Sequence, residues 1–145
     1  MRMAYHNLLV AYDGSEQSIR ALKTGIEMAR SWNAKLEVVH VFDIPMLIVG
    51  EAMIPPPVEN SVAIAQEADN LAAEAQSILS ASDVQAEVTV LQGDPGRRVI
   101  EMAEEKGIDL IILGSRGISG IKEMFLGSVS NYIVKHSNIP LHILK

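Results

Sequence analysis

The sequence predicts an α/β fold in which helices cover both faces of a parallel β-sheet. Five short apolar runs alternate along the 145 residues with four segments of helical character, and such alternation requires a parallel sheet with right-handed crossovers. The apolar runs are also rich in branched residues, which is typical of strands buried on both faces. Because the chain carries no internal repeat or low-complexity segment, it is most simply one domain.

The first predicted strand and helix meet at a capping turn. Residues 7–12 form an apolar run that ends at Asp13-Gly14-Ser15. Ser15 suits an N-cap and Glu16 places an acid in the first turn, so we expect a helix to about residue 31. Gly25 inside this helix costs about 1 kcal/mol relative to alanine, and we expect close packing to explain it.

The segment after the second predicted strand is the least regular part of the sequence. That strand covers residues 35–42, and residues 43–58 then contain four prolines and several apolar residues that look exposed. A proline-rich connector of this length in a small domain is often a functional flap or an interaction surface. A satellite lid over its own core is an equally good interpretation.

The second half of the chain continues the alternation. The patterns predict a helix over 60–80, a strand over 84–91, a helix from Pro95 to about Gly107, a strand over 109–113, a helix over 129–136 and a last strand over 141–144. Pro95 follows a turn and suits the first helical position, and Gly107 suits a helix stop.

Composition excludes several classes of function. The chain has no cysteine, which removes disulfides and thiolate chemistry, and its four histidines show no metal-ligand spacing. A net charge of −6 argues against a nucleic-acid partner. No apolar run reaches the roughly 20 residues that span a bilayer, and the start of the chain lacks a signal-peptide layout. We therefore expect a cytoplasmic protein without a membrane span.

A glycine-rich stretch links the fourth predicted strand to the fourth helix. A strand, a glycine loop and a helix N-terminus in succession can cradle phosphate, because backbone N–H groups converge there and the helix dipole favours negative charge. Gly114 and Gly117 are two residues apart, and nine residues separate Gly117 from Gly127-Ser128. Taken alone, such glycines could also be plain turn residues.

This spacing resembles the nucleotide signature of the universal stress protein family, in its ATP-binding branch. The resemblance covers residues 1–145, as a single universal stress protein domain. Its further landmarks are Asp13-Gly14-Ser15 after the first strand, the Gly93-x-Pro95 turn and the closing Ile139-Pro140-Leu141 segment. It implies a Rossmann-like (adenine nucleotide α-hydrolase-like) fold with a five-stranded parallel sheet in the order 3-2-1-4-5. Ligands would then bind between strands 1 and 4, beyond the ends that carry Asp13 and Gly114.

The resemblance also assigns roles to site residues. It implies that backbone amides and hydroxyls of Gly127, Ser128, Val129 and Ser130 bind the phosphates, and that Gly114 and Gly117 leave room for the ribose and phosphates. It also implies that the Asp13 carboxylate lies near the ribose or adenine and that the Val41 backbone contacts the adenine edge. Asp13 also suits a simple helix-capping turn. Arg116 and Lys122 lie within the cradle, where they would either neutralise phosphate or stay solvated.

The expected ligand is ATP, with Mg²⁺ bridging its phosphates, because Mg²⁺ usually keeps waters and takes few protein ligands. No Walker lysine motif or Gly-x-Ser-x-Gly elbow occurs, and Glu123 is the one carboxylate in the glycine loop. Any ATP hydrolysis would therefore be slow, and we expect a nucleotide-dependent stress-response or signalling protein rather than an enzyme. A nucleotide hydrolase or transferase, and a nucleotide-independent interaction module, remain the alternatives.

The last strand is expected at the edge of the sheet. The segment 140–145 is apolar, and an unprotected edge of this kind invites pairing. The resemblance implies a homodimer through this strand, whereas a covered edge in a monomer is the other interpretation. A protein partner that reads the nucleotide-bound state is also expected, although no motif identifies it.

Overall fold

The computed structural model describes residues 4–115 and 126–145. The strands are β1 (Asn7–Ala11), β2 (Lys35–Phe42), β3 (Leu47–Val49), β4 (Ala52–Ile54), β5 (Ala86–Gln92), β6 (Leu110–Gly114) and β7 (Leu141–Leu144). The helices are α1 (Glu16–Trp32), α2 (Val58–Ser80), α3 (Pro95–Glu105) and α4 (Ser128–His136). None of these helices is long and apolar enough to cross a bilayer.

Five strands form one parallel sheet in the order β5-β2-β1-β6-β7. Counted along the chain as the five strands of this sheet, that order is 3-2-1-4-5, so the predicted topology is confirmed. Residue Val10 of β1 pairs with Val38 of β2 on one side and with Ile112 of β6 on the other. The strand order thus reverses at β1, because β2 lies on one side of it and β6 on the other. This reversal creates a crevice at the carboxyl ends of β1 and β6.

Each face of the sheet has its own core. One core joins the sheet to α1 and α2 and includes Leu8, Val10, Leu22, Leu36 and Leu79. The other joins the sheet to α3 and α4 and includes Leu9, Val39, Val99, Ile111 and Ile133. Alternate residues of each central strand enter opposite cores, which explains why these strands read as continuous apolar runs.

Helix α1 begins and packs as its sequence predicts. Ser15 is its N-cap, and the Ser15 side chain accepts a hydrogen bond of 3.1 Å from the Ser18 N–H. A β-carbon added at Gly25 would lie 2.7 Å from Val10 Cγ2, so the helix approaches β1 at this glycine. The expected close packing at Gly25 is confirmed.

The segment 43–58 is more regular than predicted. Strands β3 and β4 form an antiparallel hairpin around Gly50, whose φ is 63°. Its apolar side chains are exposed, including Ile48 at 76% and Met53 at 67%. Three-residue strands are too short to show a period in the sequence, and the flanking prolines argue against a strand at this place. Within the described residues, the apolar side chains of the hairpin cover no core of their own.

Candidate functional site

A cavity of about 200 Å³ lies at the carboxyl ends of the central strands. It is bounded by β1, β2 and β6 of the sheet and by the first turns of α3 and α4. The lining residues are Ala11, Tyr12, Asp13, Ser18, Val39, Val41, Pro95, Val99, Leu113, Gly114, Val129 and Ser130. The cavity occupies the crevice that the strand order creates between β1 and β6.

Most of the cavity wall is apolar. Val39 and Val41 of β2 face Val99 of α3 across it, and Leu113 of β6 and Val129 of α4 complete the wall. Val39 and Val41 are two residues apart on β2, so they present their side chains to the same face of the sheet. Apolar walls with few placed polar groups are typical of small-molecule sites and suit a flat heterocyclic ring.

Asp13 joins the cavity to the turn that starts α1. Its Oδ1 accepts a hydrogen bond of 2.9 Å from the Ser15 N–H. The Asp13 N–H donates to Ser18 Oγ at 3.3 Å, and this hydroxyl in turn donates to the Ser15 carbonyl at 3.0 Å. Asp13 thus stabilises the capping turn and also lines the cavity. Its position is compatible with a capping role and with a role beside a ligand. Its second oxygen has no hydrogen bond within the described residues.

The N-terminus of α4 lies at the side of the cavity. Gly127 is the N-cap, and its N–H donates to the Ser115 carbonyl at 2.7 Å. The first hydrogen bond along the helix runs from the Asn131 N–H to the Gly127 carbonyl at 2.8 Å. The N–H groups of residues 128–130 therefore have no partner inside the helix, and Gly127 has no side chain to cap them. They can donate to an anion, which the helix dipole also favours.

The Ser130 hydroxyl has a structural partner. Ser130 is 4% exposed, and its Oγ donates to the Gly114 carbonyl at 2.7 Å. This bond ties α4 to the end of β6. Because the hydroxyl proton is used there, the backbone N–H of Ser130 is the donor that remains for a phosphate.

The structure brings together most of the predicted site residues. Asp13, Val41, Gly114, Val129 and Ser130 line the cavity. Gly127 and Ser128 begin α4 beside it without belonging to its wall. Arg116, Gly117, Lys122 and Glu123 lie outside the described residues. Within the described part of the chain no lysine or arginine lines the cavity, and no group of three or more acidic or histidine side chains could hold a metal.

Sequence reasoning missed several wall residues. Four residues line the cavity although the sequence predicts them only as parts of strands, a turn and a helix: Val39, Pro95, Val99 and Leu113. Pro95 and Val99 belong to the first turns of α3, which starts after β5 at the same edge of the sheet as Asp13. The Gly93-x-Pro95 turn was therefore a usable signal that α3 contributes to the site.

Tyr12 lines the cavity and also belongs to the core that the sheet shares with α1 and α2. The Tyr12 carbonyl lies 2.8 Å from His40 Nδ1, which donates to it. The Tyr12 side chain is 2% exposed, and its hydroxyl donates to Glu74 Oε1 on α2. Burial, followed by this hydrogen bond and the charges of Glu74 and Asp13, raises the pKa of the Tyr12 phenol. The residue is therefore a neutral donor at physiological pH.

Known proteins resemble this chain over nearly all of its length. The model of the universal stress protein family matches residues 4–145. The universal stress protein YxiE of Bacillus subtilis is 33% identical over 147 residues, which cover 97% of this chain and 99% of that protein.

Solved structures show the same fold. UspA from Lactobacillus plantarum superposes with a TM-score of 0.82 at 22% identity, over 99% of this chain and 100% of the other. A universal stress protein from Archaeoglobus fulgidus, solved in complex with dAMP, superposes with a TM-score of 0.69 at 25% identity, over 99% of this chain and 100% of that one.

Proposed function

Because this chain belongs to the universal stress protein family, we propose that it binds an adenine nucleotide in the cavity between β1 and β6. One observation carries the proposal: an apolar wall suited to a ring lies next to the first N–H groups of α4, which have no partner within that helix and suit a phosphate. The relative from Archaeoglobus fulgidus, solved with dAMP, supports the same class of ligand. We further propose that the chain is a single universal stress protein domain.

The proposal gives each part of the nucleotide a place in the cavity. The adenine would lie among Val39, Val41 and Val99, with its edge at the Val41 backbone. The ribose would lie near Asp13, whose second carboxylate oxygen is available to hydroxyl donors. At about 200 Å³ the cavity is smaller than the roughly 300–1,000 Å³ of a typical ligand site. We therefore place base and sugar inside and the phosphates at the rim, against the start of α4.

ATP is the proposed physiological ligand, with Mg²⁺ bridging its phosphates. The described residues offer no acidic cluster to hold the ion by themselves, which fits an ion that arrives with the phosphates and keeps several waters. Asp13 is the one carboxylate in the described cavity wall, and its Oδ1 is engaged with the Ser15 N–H. Hydrolysis would consequently be slow, and the protein would act in the cytoplasm as a nucleotide-dependent component of a stress response.

The proposed homodimer uses β7, which is an edge strand of the sheet. The carbonyl of Pro140 accepts from the Ile111 N–H of β6, and the carbonyl of Leu144 accepts from the N–H of Ser115, which follows β6. Residues 141 and 143 therefore direct their backbone groups outward. The Ile143→Pro variant removes one outward N–H and no bond to β6. We expect it to sediment as a monomer while the wild type sediments as a dimer, and a dimeric variant would count against pairing through β7.

The exposed hairpin favours a second function, protein binding that needs no nucleotide. Both faces of the hairpin carry apolar residues, and isolated two-stranded hairpins are marginal in water, which favours a partner. A Gly127→Val, Ser128→Ala variant separates the two functions. A partner that still binds this variant would support the interaction module, whereas lost binding would support a nucleotide-dependent state.

The direct test is to identify what the gently purified protein carries. Mass spectrometry of the released ligand should find an adenine nucleotide, and calorimetry with AMP and ATP should show one site per chain. The Gly127→Val variant should lose this binding, because a branched side chain would stand beside the α4 N–H groups. It should keep its circular dichroism spectrum, since the extended backbone at this position (φ −65°, ψ 168°) is one that valine adopts. Phosphate release above about 1 s⁻¹ would instead indicate an enzyme.

A further inference from the structure

The segment 12–15 touches both the candidate site and helix α2. Tyr12 and Asp13 line the cavity, whereas the other side of the segment faces α2, which contributes no residue to the cavity wall. Two contacts connect the segment 12–15 to α2.

The first contact is the hydrogen bond from the Tyr12 hydroxyl to Glu74. The two residues are 62 positions apart, and the phenol is buried in the core that α1 and α2 share. A buried hydroxyl needs a partner, so this bond fixes the position of α2 relative to the end of β1. His40 holds the same residue from the other direction, through the Tyr12 carbonyl.

The second contact is between Gly14 and Leu71. Gly14 has a φ of 82°, and a β-carbon added there would lie 2.5 Å from Leu71 Cδ2. The Leu71 side chain therefore rests directly on the backbone of the turn that follows Asp13. Leu71 and Glu74 are three residues apart, so they present adjacent side chains on one face of α2.

Helix α2 also connects to the exposed hairpin. The hairpin ends at Ile54, and three prolines lead from it into α2, with Pro57 as the N-cap. Proline fixes φ, so this connector is stiffer than an ordinary loop. A small movement of α2 would therefore also move the hairpin.

We propose that α2 positions Asp13 for the nucleotide, with Glu74 and Leu71 as positioning residues, and thereby couples occupancy of the cavity to the hairpin. This inference rests on the proposed nucleotide site. Coupling is reciprocal: if a bound nucleotide favours one placement of the segment 12–15, then contacts that hold this placement must raise nucleotide affinity. Glu74 lies outside the cavity wall, so a change there alters no wall residue, and loss of a carboxylate from the same helix is controlled for by Asp69→Ala.

The test measures AMP affinity by calorimetry in a thermodynamic cycle. We expect Glu74→Ala to weaken AMP binding about fivefold to tenfold, as a modest coupling does. In an Asp13→Asn background, which keeps an acceptor for the Ser15 N–H, Glu74→Ala should weaken AMP binding by less than about twofold. Asp69→Ala is the matched control, since it removes an exposed carboxylate from the same helix and should leave affinity unchanged.

Two results would overturn the inference. One is a Glu74→Ala protein that binds AMP as tightly as the wild type. The other is an equal loss with and without Asp13→Asn, because a purely structural defect would act in both backgrounds. Absence of AMP binding by the wild type would instead overturn the proposed function itself, and the inference with it.

Amide hydrogen exchange gives a second readout. Saturating AMP should slow exchange in α2 and the hairpin of the wild type and of Asp69→Ala. The slowing should disappear in Glu74→Ala, measured at an AMP concentration that saturates this variant too. Equal slowing in all three proteins would contradict coupling through Glu74.

Discussion

Two serines at the start of α4 allow a structural hydroxyl to be distinguished from one that we propose binds phosphate. Ser130 is 4% exposed, and its hydroxyl donates to the Gly114 carbonyl at 2.7 Å. Alanine at this position removes the donor and leaves a half-buried carbonyl without it, which costs about 1–2 kcal/mol of unfolding free energy. AMP affinity should change less than about threefold, because the backbone N–H of residue 130 remains.

Ser128 should behave in the opposite way. It is exposed at the first position of α4, and its hydroxyl has no hydrogen bond to any residue that the structure describes. Ser128→Ala should therefore alter the unfolding free energy by less than about 0.5 kcal/mol. If its hydroxyl donates to a phosphate, AMP binding should weaken about tenfold, which corresponds to about 1.4 kcal/mol.

Urea denaturation and calorimetry on the two alanine variants measure both effects. The expected pattern is crossed, with the stability loss in Ser130→Ala and the affinity loss in Ser128→Ala. A stable Ser130→Ala protein that binds AMP more than tenfold more weakly would refute the reasoning, because it would make the buried hydroxyl a phosphate ligand.

Three further predictions follow from the packing. Gly25→Ala should lower the unfolding free energy by about 1–2 kcal/mol despite the better helix propensity of alanine, because the new methyl would meet Val10 at 2.7 Å; urea denaturation measures this, and an unchanged or higher value would contradict it. The raised pKa of Tyr12 means that its stabilising contribution is full below the ordinary phenol pKa of about 10 and is lost as the pH rises further. The stability difference between wild type and Tyr12→Phe should accordingly shrink between pH 9 and pH 11, taken as roughly a unit either side of that pKa, and a constant difference would argue against it. The double change Ile48→Ser, Met53→Ser should leave the melting temperature nearly unchanged, since both side chains are exposed, and a large drop would show that the hairpin supports the core.

The strands of the sheet were predictable because the relevant forces are local or repeat along the chain. Central strands buried on both faces must be apolar throughout, and Leu8 to Val10 show that pattern plainly. The Ser15 cap and the Gly25 contact each follow from one residue type, because the spacing of apolar residues shows which face of this helix packs on the sheet. The order of the strands came from the family resemblance.

The hairpin and part of the cavity wall were not predictable in the same way. Strands of three residues carry no measurable period, and Ile48 and Met53 are exposed where apolar residues normally indicate a core. Val99 and Leu113 line the cavity because α3 packs on the face of the sheet to which Leu113 of β6 points.

The site was predictable where it follows from topology. Asp13 and Gly114 were located because both stand at the carboxyl ends of neighbouring strands. The Tyr12–Glu74 bond joins residues 62 positions apart, and no pattern within either segment indicates the other. Long-range side-chain pairs of this kind depend on how α2 packs on the finished sheet, which a single sequence does not show.

The most direct test of a phosphate held by main-chain amides is an NMR titration of the ¹⁵N-labelled protein with AMP and with adenosine. Both ligands should shift the signals of Val41 and Val99, because both carry the base. Only AMP should shift the amides of Ser128, Val129 and Ser130. If AMP at millimolar concentration leaves these three amides unmoved, or if adenosine moves them equally, the start of α4 does not bind the phosphate.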